Sequence, residues 1–144
     1  MKLILGSSSN YRKDILKKAG YVFEVLSPDI DEKTIKTELY QRPLILAHAK
    51  MDAILPQINE PAFVITSDQV IICDGKLYEK PENEKEIRHF LSHYNIGGVP
   101  ESLCAVVVAN TVTRKRYAGV DKAKIFFNKI PDKAIDEFIA KDNP

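Results

Sequence analysis

The chain has 144 residues, of which 44% are apolar and 28% charged, the proportions of an ordinary globular protein and enough length for one domain spanning residues 1–144 with a sizeable core. Lys and Arg number 21 against 20 Asp and Glu, so the formal charge of +1 excludes the basic excess of a general nucleic-acid-coating protein. The longest unbroken apolar run, Leu103 to Ala109, is far short of the ~20 residues of a membrane helix, and Cys73 and Cys104 make no disulfide framework; the expectation is a reduced, cytoplasmic setting with neither membrane nor nucleic acid as partner.

Lys2 to Gly6 reads as a short buried strand, followed by the small-residue loop Gly6-Ser7-Ser8-Ser9-Asn10. From Tyr11, the residues Ile15, Leu16 and Ala19 recur at helical spacing, and Gly20 supplies a C-terminal cap. Tyr21 to Leu26 alternates as a strand does, and Pro28 to Lys33 forms an acidic loop. Pro43 suits the first turn of a helix carrying Leu46, Ala47, Lys50, Met51, Ile54 and Leu55, which Pro56 stops. Phe63 to Cys73 reads as a strand interrupted by polar Thr66-Ser67-Asp68-Gln69, and Asp74-Gly75 is a hairpin signal. Asn83 with Glu86 resembles a capping box opening a helix whose apolar face is Ile87, Phe90, Leu91 and Tyr94. Leu103 to Ala109 and Lys124 to Ile130 are predicted strands with a turn or short hairpin at Thr111 to Arg116, and Pro131 starts a last helix with Ala134, Ile135, Phe138 and Ile139 facing inward. Alternating strands and helices with two hairpins indicate an α/β fold on a mixed sheet.

Three segments have the residue types for chemistry. Gly6 to Lys13 ends a strand with small residues and opens a helix, so free backbone N–H groups, the positive helix end, three hydroxyls and the basic pair Arg12 and Lys13 together suit an anion such as phosphate. No Gly-Lys-Thr/Ser closes the loop, so it is not a Walker A motif, and a serine-rich helix cap is the plain alternative. Asp29-Ile30-Asp31-Glu32 clusters carboxylates as Mg²⁺ sites do, although acidic surface loops are common. Asp68, inside an apolar strand, needs a partner or a chemical role, such as holding a metal or taking a proton from water, unless it merely marks a bulge. Lys50 breaks an apolar helix face, either snorkelling to solvent or reaching a phosphate, and Lys80 lies between a strand and a helix. His89 and His93 share helical spacing but show no third ligand in the sequence, so a solvated face is expected; Cys73 and Cys104 read as buried thiols.

Taken in order, these segments resemble the Maf family of nucleoside triphosphate pyrophosphatases. Leu3 to Ser9 with Arg12 and Leu16 is similar to that family's L-x-L-A-S-x-S-P-R-R-x-x-L-L, Pro28-Asp29-Ile30-Asp31-Glu32 to P-x-x-I-D-E, and Ala47-His48-Ala49-Lys50 to A-x-x-K. Thr66-Ser67-Asp68-Gln69-Val70 resembles G-[AS]-D-[TQ]-V, Glu79-Lys80-Pro81 resembles G-K-P, and Ala123 to Phe127 resembles the strand T-x-V-x-F. The resemblance implies a twisted mixed sheet flanked by helices in an elongated fold shared with the inosine triphosphatase family. It implies cleavage between the α- and β-phosphates with a divalent cation, Mg²⁺ or another such as Mn²⁺. Carried over by position, Asp68 is the general base, Glu32 with Asp68 holds metal, and Ser7, Ser9, Arg12, Lys50 and Lys80 bind the triphosphate. Tyr11 and Gln69 lean toward the subgroup similar to 7-methyl-GTP pyrophosphatases, with Tyr11 available to stack on a base, whereas dTTP/UTP-type members have Arg and Thr there. Ser9-Asn10-Tyr11-Arg12-Lys13 also resembles the T-x-N-x-x-K of inosine triphosphatases, which keeps a purine house-cleaning enzyme as an alternative, beside a non-catalytic nucleotide-binding or cell-division regulatory module. The family pattern continues past Phe138 to Pro144 with a K-A-G-x-Y-x-I-Q stretch, so the resemblance implies a domain shortened at its C-terminus, with an uncovered edge that invites a homodimer.

Overall fold

Strand β1 (Lys2–Gly6) pairs in parallel with both β2 (Glu24–Val25) and β3 (Ala62–Cys73), and the first helix, α1 (Asn10–Lys18), occupies the connection from β1 to β2. In this computed structural model, which describes residues 1–141, the remaining elements are α2 (Arg42–Ile54), β4 (Lys76–Tyr78), α3 (Glu84–Asn95), β5 (Glu101–Asn110), β6 (Arg116–Lys124) and α4 (Asp132–Lys141). The sheet order is β2-β1-β3-β5-β6, with β4 antiparallel to β3 off that path, so the predicted mixed α/β sheet is present. No helix among the described residues is long and apolar enough to cross a membrane.

The chain divides into two compact units. Residues 1–69 and 104–121 form the first, and residues 70–103 with the segment from Lys122 form the second; β3, β5 and β6 contribute to both. The first unit has its core where α2 lays Ala47, Met51 and Ile54 against Ile4 of β1, Ala62 and Val64 of β3, and Ala105, Val107 and Ala109 of β5. Gly6 ends β1 in a place with no room for a side chain: a Cβ there would stand 2.5 Å from Ile54 Cδ1 and 2.6 Å from Thr66 Cγ2. The second unit is tied by aromatic and polar contacts. Tyr78 of β4 packs on Phe90 of α3 with ring centroids 4.4 Å apart, and Tyr94 stacks on Phe127 at 4.9 Å. Asn95 exchanges two hydrogen bonds with the backbone of Ile130, at 2.9 and 2.7 Å. Burial pushes the Tyr94 phenol up to about 12.

Local signals are realised where backbone chemistry dictates them. Gly20 adopts φ +82° beyond the end of α1, and Asp74-Gly75, at φ 50° and 72°, forms the two-residue turn between Cys73 and Lys76. Asn83 accepts from the Glu86 N–H at 3.1 Å, and the Glu86 carboxylate accepts from the Glu82 N–H at 2.8 Å.

Several expectations need correction. The predicted strand at Lys124 to Ile130, and with it most of the Ala123 to Phe127 likeness, is not strand beyond Lys124; the strand is Arg116–Lys124, exposed along its whole length and therefore without an alternating apolar signature. Tyr21 to Leu26 is reduced to the two-residue β2. Thr66 to Gln69 does not interrupt β3, which runs unbroken through it. No residue of α1 is buried. In α4 only Ile135 is, with Phe138 47% exposed. Cys73 is buried but Cys104 only partly so. Asp142, Asn143 and Pro144, on which the expectation of a shortened domain partly rests, lie outside the described residues.

Candidate functional site

The first unit gathers the serine loop, the acidic loop, α2 and β3 in one place. After β1, the buried Ser7 turns its hydroxyl inward, where Oγ accepts from the Ser9 N–H at 3.2 Å and from Arg12 Nη1 at 3.4 Å. Ser9 is the N-cap of α1, its Oγ accepting from the Arg12 N–H at 3.4 Å. The cap is the reason the helix starts here, and it leaves the positive helix end and the Arg12 guanidinium beside the loop. Gly6, Ser7, Ser8, Ser9, Arg12, Pro28, Ile30, Glu32 and Lys50 line a polar cavity of about 240 Å³.

At the floor of this cavity Lys50 is buried, neither snorkelling nor free. Its Nζ lies 2.6 Å from Asp68 Oδ1 and 2.8 Å from Glu32 Oε1. Strand alternation places Thr66 and Asp68 on the α2 side of β3, where the Thr66 hydroxyl donates to the Ala47 carbonyl at 2.7 Å and fixes the strand against the helix. Asp68 is only 6% exposed, while the Glu32 side chain keeps 44% of its surface in solvent. Burial is the main influence on Asp68 and raises its pKa. The hydrogen bond and charge of Lys50 oppose that rise, the nearby Glu32 charge adds to it, and Arg12 weakly lowers it. The net direction is upward from the ordinary carboxylate value.

The structure therefore brings together Ser7, Ser9, Arg12, Glu32, Lys50 and Asp68, six residues separated by up to 61 positions in sequence. Tyr11 is 72% exposed on the first turn of α1. Gln69 is exposed on the opposite side of β3 from Asp68, and Lys80 is exposed in the second unit, between β4 and α3. Asp29 is exposed, and Asp31 serves its own turn, its carboxylate accepting from the Lys33 N–H at 3.1 Å.

Sequence reasoning did not single out Arg42. It donates from Nη1 to the Ile35 carbonyl at 3.3 Å and from Nη2 to the Glu32 carbonyl at 3.4 Å, holding the acidic loop near the start of α2. Its position just before Pro43 marks a helix start and carries no sign of a distant tether.

Comparisons with known proteins address the family and the fold. A family model described as Maf-like protein matches residues 2–144. The chain is similar to a 7-methyl-GTP pyrophosphatase of Dictyostelium discoideum, 41% identical over 145 residues that cover 95% of this chain and 73% of that protein. It is also similar to a dTTP/UTP pyrophosphatase of Vibrio vulnificus, 30% identical over 99% of this chain and 76% of that protein. Among solved structures, a HAM1 protein from Coxiella burnetii superposes with a TM-score of 0.58 at 12% identity, covering 91% of this chain and 75% of that one. The Staphylococcus aureus Ham1 protein does so with a TM-score of 0.58 at 10% identity, covering 89% and 72%. At such identities these two likenesses concern the fold alone.

Proposed function

We propose that this chain, which belongs to the Maf family, hydrolyses a nucleoside triphosphate to the nucleoside monophosphate and pyrophosphate. The observation that carries the reading is the buried Asp68, held at 2.6 Å by Lys50 beside a cavity lined with hydroxyl and cationic groups of the kind that suit phosphate. A buried carboxylate with a raised pKa is a stronger base than a solvated one, and the Lys50 hydrogen bond and charge oppose the rise that desolvation causes. Asp68 takes the proton of the attacking water. Ser7, Ser9 and Arg12, with the N–H groups opening α1, hold the triphosphate, since phosphoryl transfer is mostly positioning and charge neutralisation. Lys50 and Lys80 are assigned to the triphosphate by the family likeness; Lys50 also holds Asp68 and Glu32 in place.

Enzymes of this kind generally use a divalent metal ion. The donor set fits one: Glu32 and Asp68 both contact a single Nζ, and the Glu32 charge raises Asp68, a repulsion that a divalent cation relieves. Two carboxylates completed by phosphate oxygens suit Mg²⁺, or Mn²⁺, and when bound the ion neutralises negative charge on the triphosphate.

For the base, Tyr11 and Gln69 and the 7-methyl-GTP relative together favour a 7-methylated guanine. Methylation at N7 leaves that base positively charged, and the exposed Tyr11 ring offers a π face to it.

The test is pyrophosphate release with Mg²⁺ over a panel of 7-methyl-GTP, dTTP, UTP, CTP and ITP. Release is expected from one or a few of these, 7-methyl-GTP foremost. Asp68→Asn should lower the rate by roughly 10²–10⁴ with nucleotide binding retained. An unchanged rate in that variant removes Asp68 from the mechanism, and binding without release by the unaltered chain supports a purely nucleotide-binding module.

A further inference from the structure

Of the two histidines of α3, which lack a third ligand in the sequence, His93 acquires partners from the β3–β4 hairpin. Cys73, Asp74 and His93 bring one sulfur, one oxygen and one nitrogen within 4.8 Å of one another, and His93 Nε2 lies 2.7 Å from Asp74 Oδ2. We infer that Cys73, Asp74 and His93 form a second metal site, for a borderline-soft divalent ion of the Zn²⁺ class, separate in chemistry from the carboxylate site at Asp68.

Four features of the second unit point the same way. The three residues, with His89 one helical turn before His93, line a single cavity of about 540 Å³. Asp74 is turned into the left-handed region, φ 50°, by the tight two-residue turn, which sets its carboxylate next to the end of β3 where Cys73 stands. The His93 ring is packed against Gly98, where any Cβ would overlap it, so the imidazole is held in place by backbone. Tyr78 lies between hairpin and helix, with ring centroids 4.4 Å from Phe90 and 6.2 Å from His93, and keeps the two elements together.

Ligand chemistry then selects the ion. Donor atoms around a tetrahedral Zn²⁺ are about 3.3–3.8 Å apart, so the 2.7 Å contact between His93 and Asp74 opens by a small side-chain movement as the ion enters, and the fourth position is left for water. Thiolate and imidazole favour Zn²⁺ over Mg²⁺, whereas Glu32 and Asp68 offer only oxygen and favour the harder ion. On binding, the Cys73 S–H gives its proton to solvent and the thiolate becomes the ligand. The ion would clip the hairpin to α3.

The experiment is a titration of the untagged, reduced, metal-free full chain with Co²⁺, followed by absorption. A thiolate ligand produces a near-ultraviolet charge-transfer band that an all-oxygen site cannot produce, so the result is read independently of pyrophosphate release. One equivalent of Co²⁺ should develop the band, Zn²⁺ should abolish it, and a large excess of Mg²⁺ should leave it intact. Cys73→Ser should lack it, His93→Gln should bind Co²⁺ roughly 10–100-fold more weakly or worse, and Cys104→Ser should retain it. No band in the folded unaltered chain, a band removed by Mg²⁺, or a band that survives in Cys73→Ser would overturn the site. Because the unaltered chain alone can give the negative result, misfolding of a variant does not protect the assignment.

Discussion

Replacing Lys50 by Met keeps a long buried stem and removes the one ammonium that touches both carboxylates of the site, at 2.6 and 2.8 Å. Breaking a buried ion pair from one side costs about 3–5 kcal/mol, because the surviving charge stays desolvated. Here the lower end applies. The Glu32 side chain keeps 44% of its surface in water, and only Asp68 is left buried, where it can take up a proton instead of remaining ionised. A loss of about 3 kcal/mol near neutral pH corresponds to a fall in Tm of roughly 10 °C for a domain of this size. The pH dependence gives the sharper test. Lys50 lowers the pKa of Asp68, so its removal raises the folded-state pKa further above the unfolded value. The folded variant then binds more protons than its unfolded state between those two values, and its stability falls as pH rises through that window. Below the unfolded value both states are protonated and the penalty disappears. Thermal melts followed by circular dichroism at about pH 4 and about pH 8 should therefore show the two proteins close together in acid and well separated in alkali. Adding Asp68→Asn to Lys50→Met should restore much of the lost stability. An equal Tm difference at both pH values, or none at either, would refute the view that Lys50 compensates a buried charge.

The same electrostatics bears on catalysis. The acid limb of kcat/KM for nucleotide hydrolysis should lie above the ordinary carboxylate range, because the base must lose its proton and burial raises its pKa. Glu32→Gln, which removes a charge that raises Asp68, should move that limb downward; a limb that stays put would separate Glu32 from Asp68 electrostatically. Tyr11→Ala should raise KM for 7-methyl-GTP by roughly 2–10-fold more than for GTP, since a neutral base gains less from a π face; equal changes for the two would detach Tyr11 from base recognition. Asn83→Ala should lower stability by about 1 kcal/mol through loss of the α3 cap, seen as a drop in urea midpoint without a change in slope.

What the sequence determined by itself was local or carried by ordered motifs. Gly20, the Asp74-Gly75 turn, the Asn83 cap and the Pro43 helix start are set by backbone conformations and hydrogen bonds available within a few residues, and each is found at its predicted place. The α/β class followed from alternating periods, and the family from the order of motifs along the chain. The edge strand Arg116–Lys124 escaped detection because a strand exposed along its length has no apolar alternation to read, and Ile125 to Phe127 supplied a misleading one.

Only the tertiary structure decided what Lys50, Asp68 and Glu32 do to one another. Their separations of 18 residues each way along the chain say nothing of a shared contact; α2 crossing the Thr66–Asp68 face of β3 creates it, at a close approach that a side chain on Gly6 would obstruct. The same holds for His93, whose helix spacing suggests a solvated face until the β3–β4 turn sets Cys73 and Asp74 beside it. Side-chain burial and charge pairing are properties of three-dimensional neighbours, and sequence periodicity records only which side of an element a residue takes.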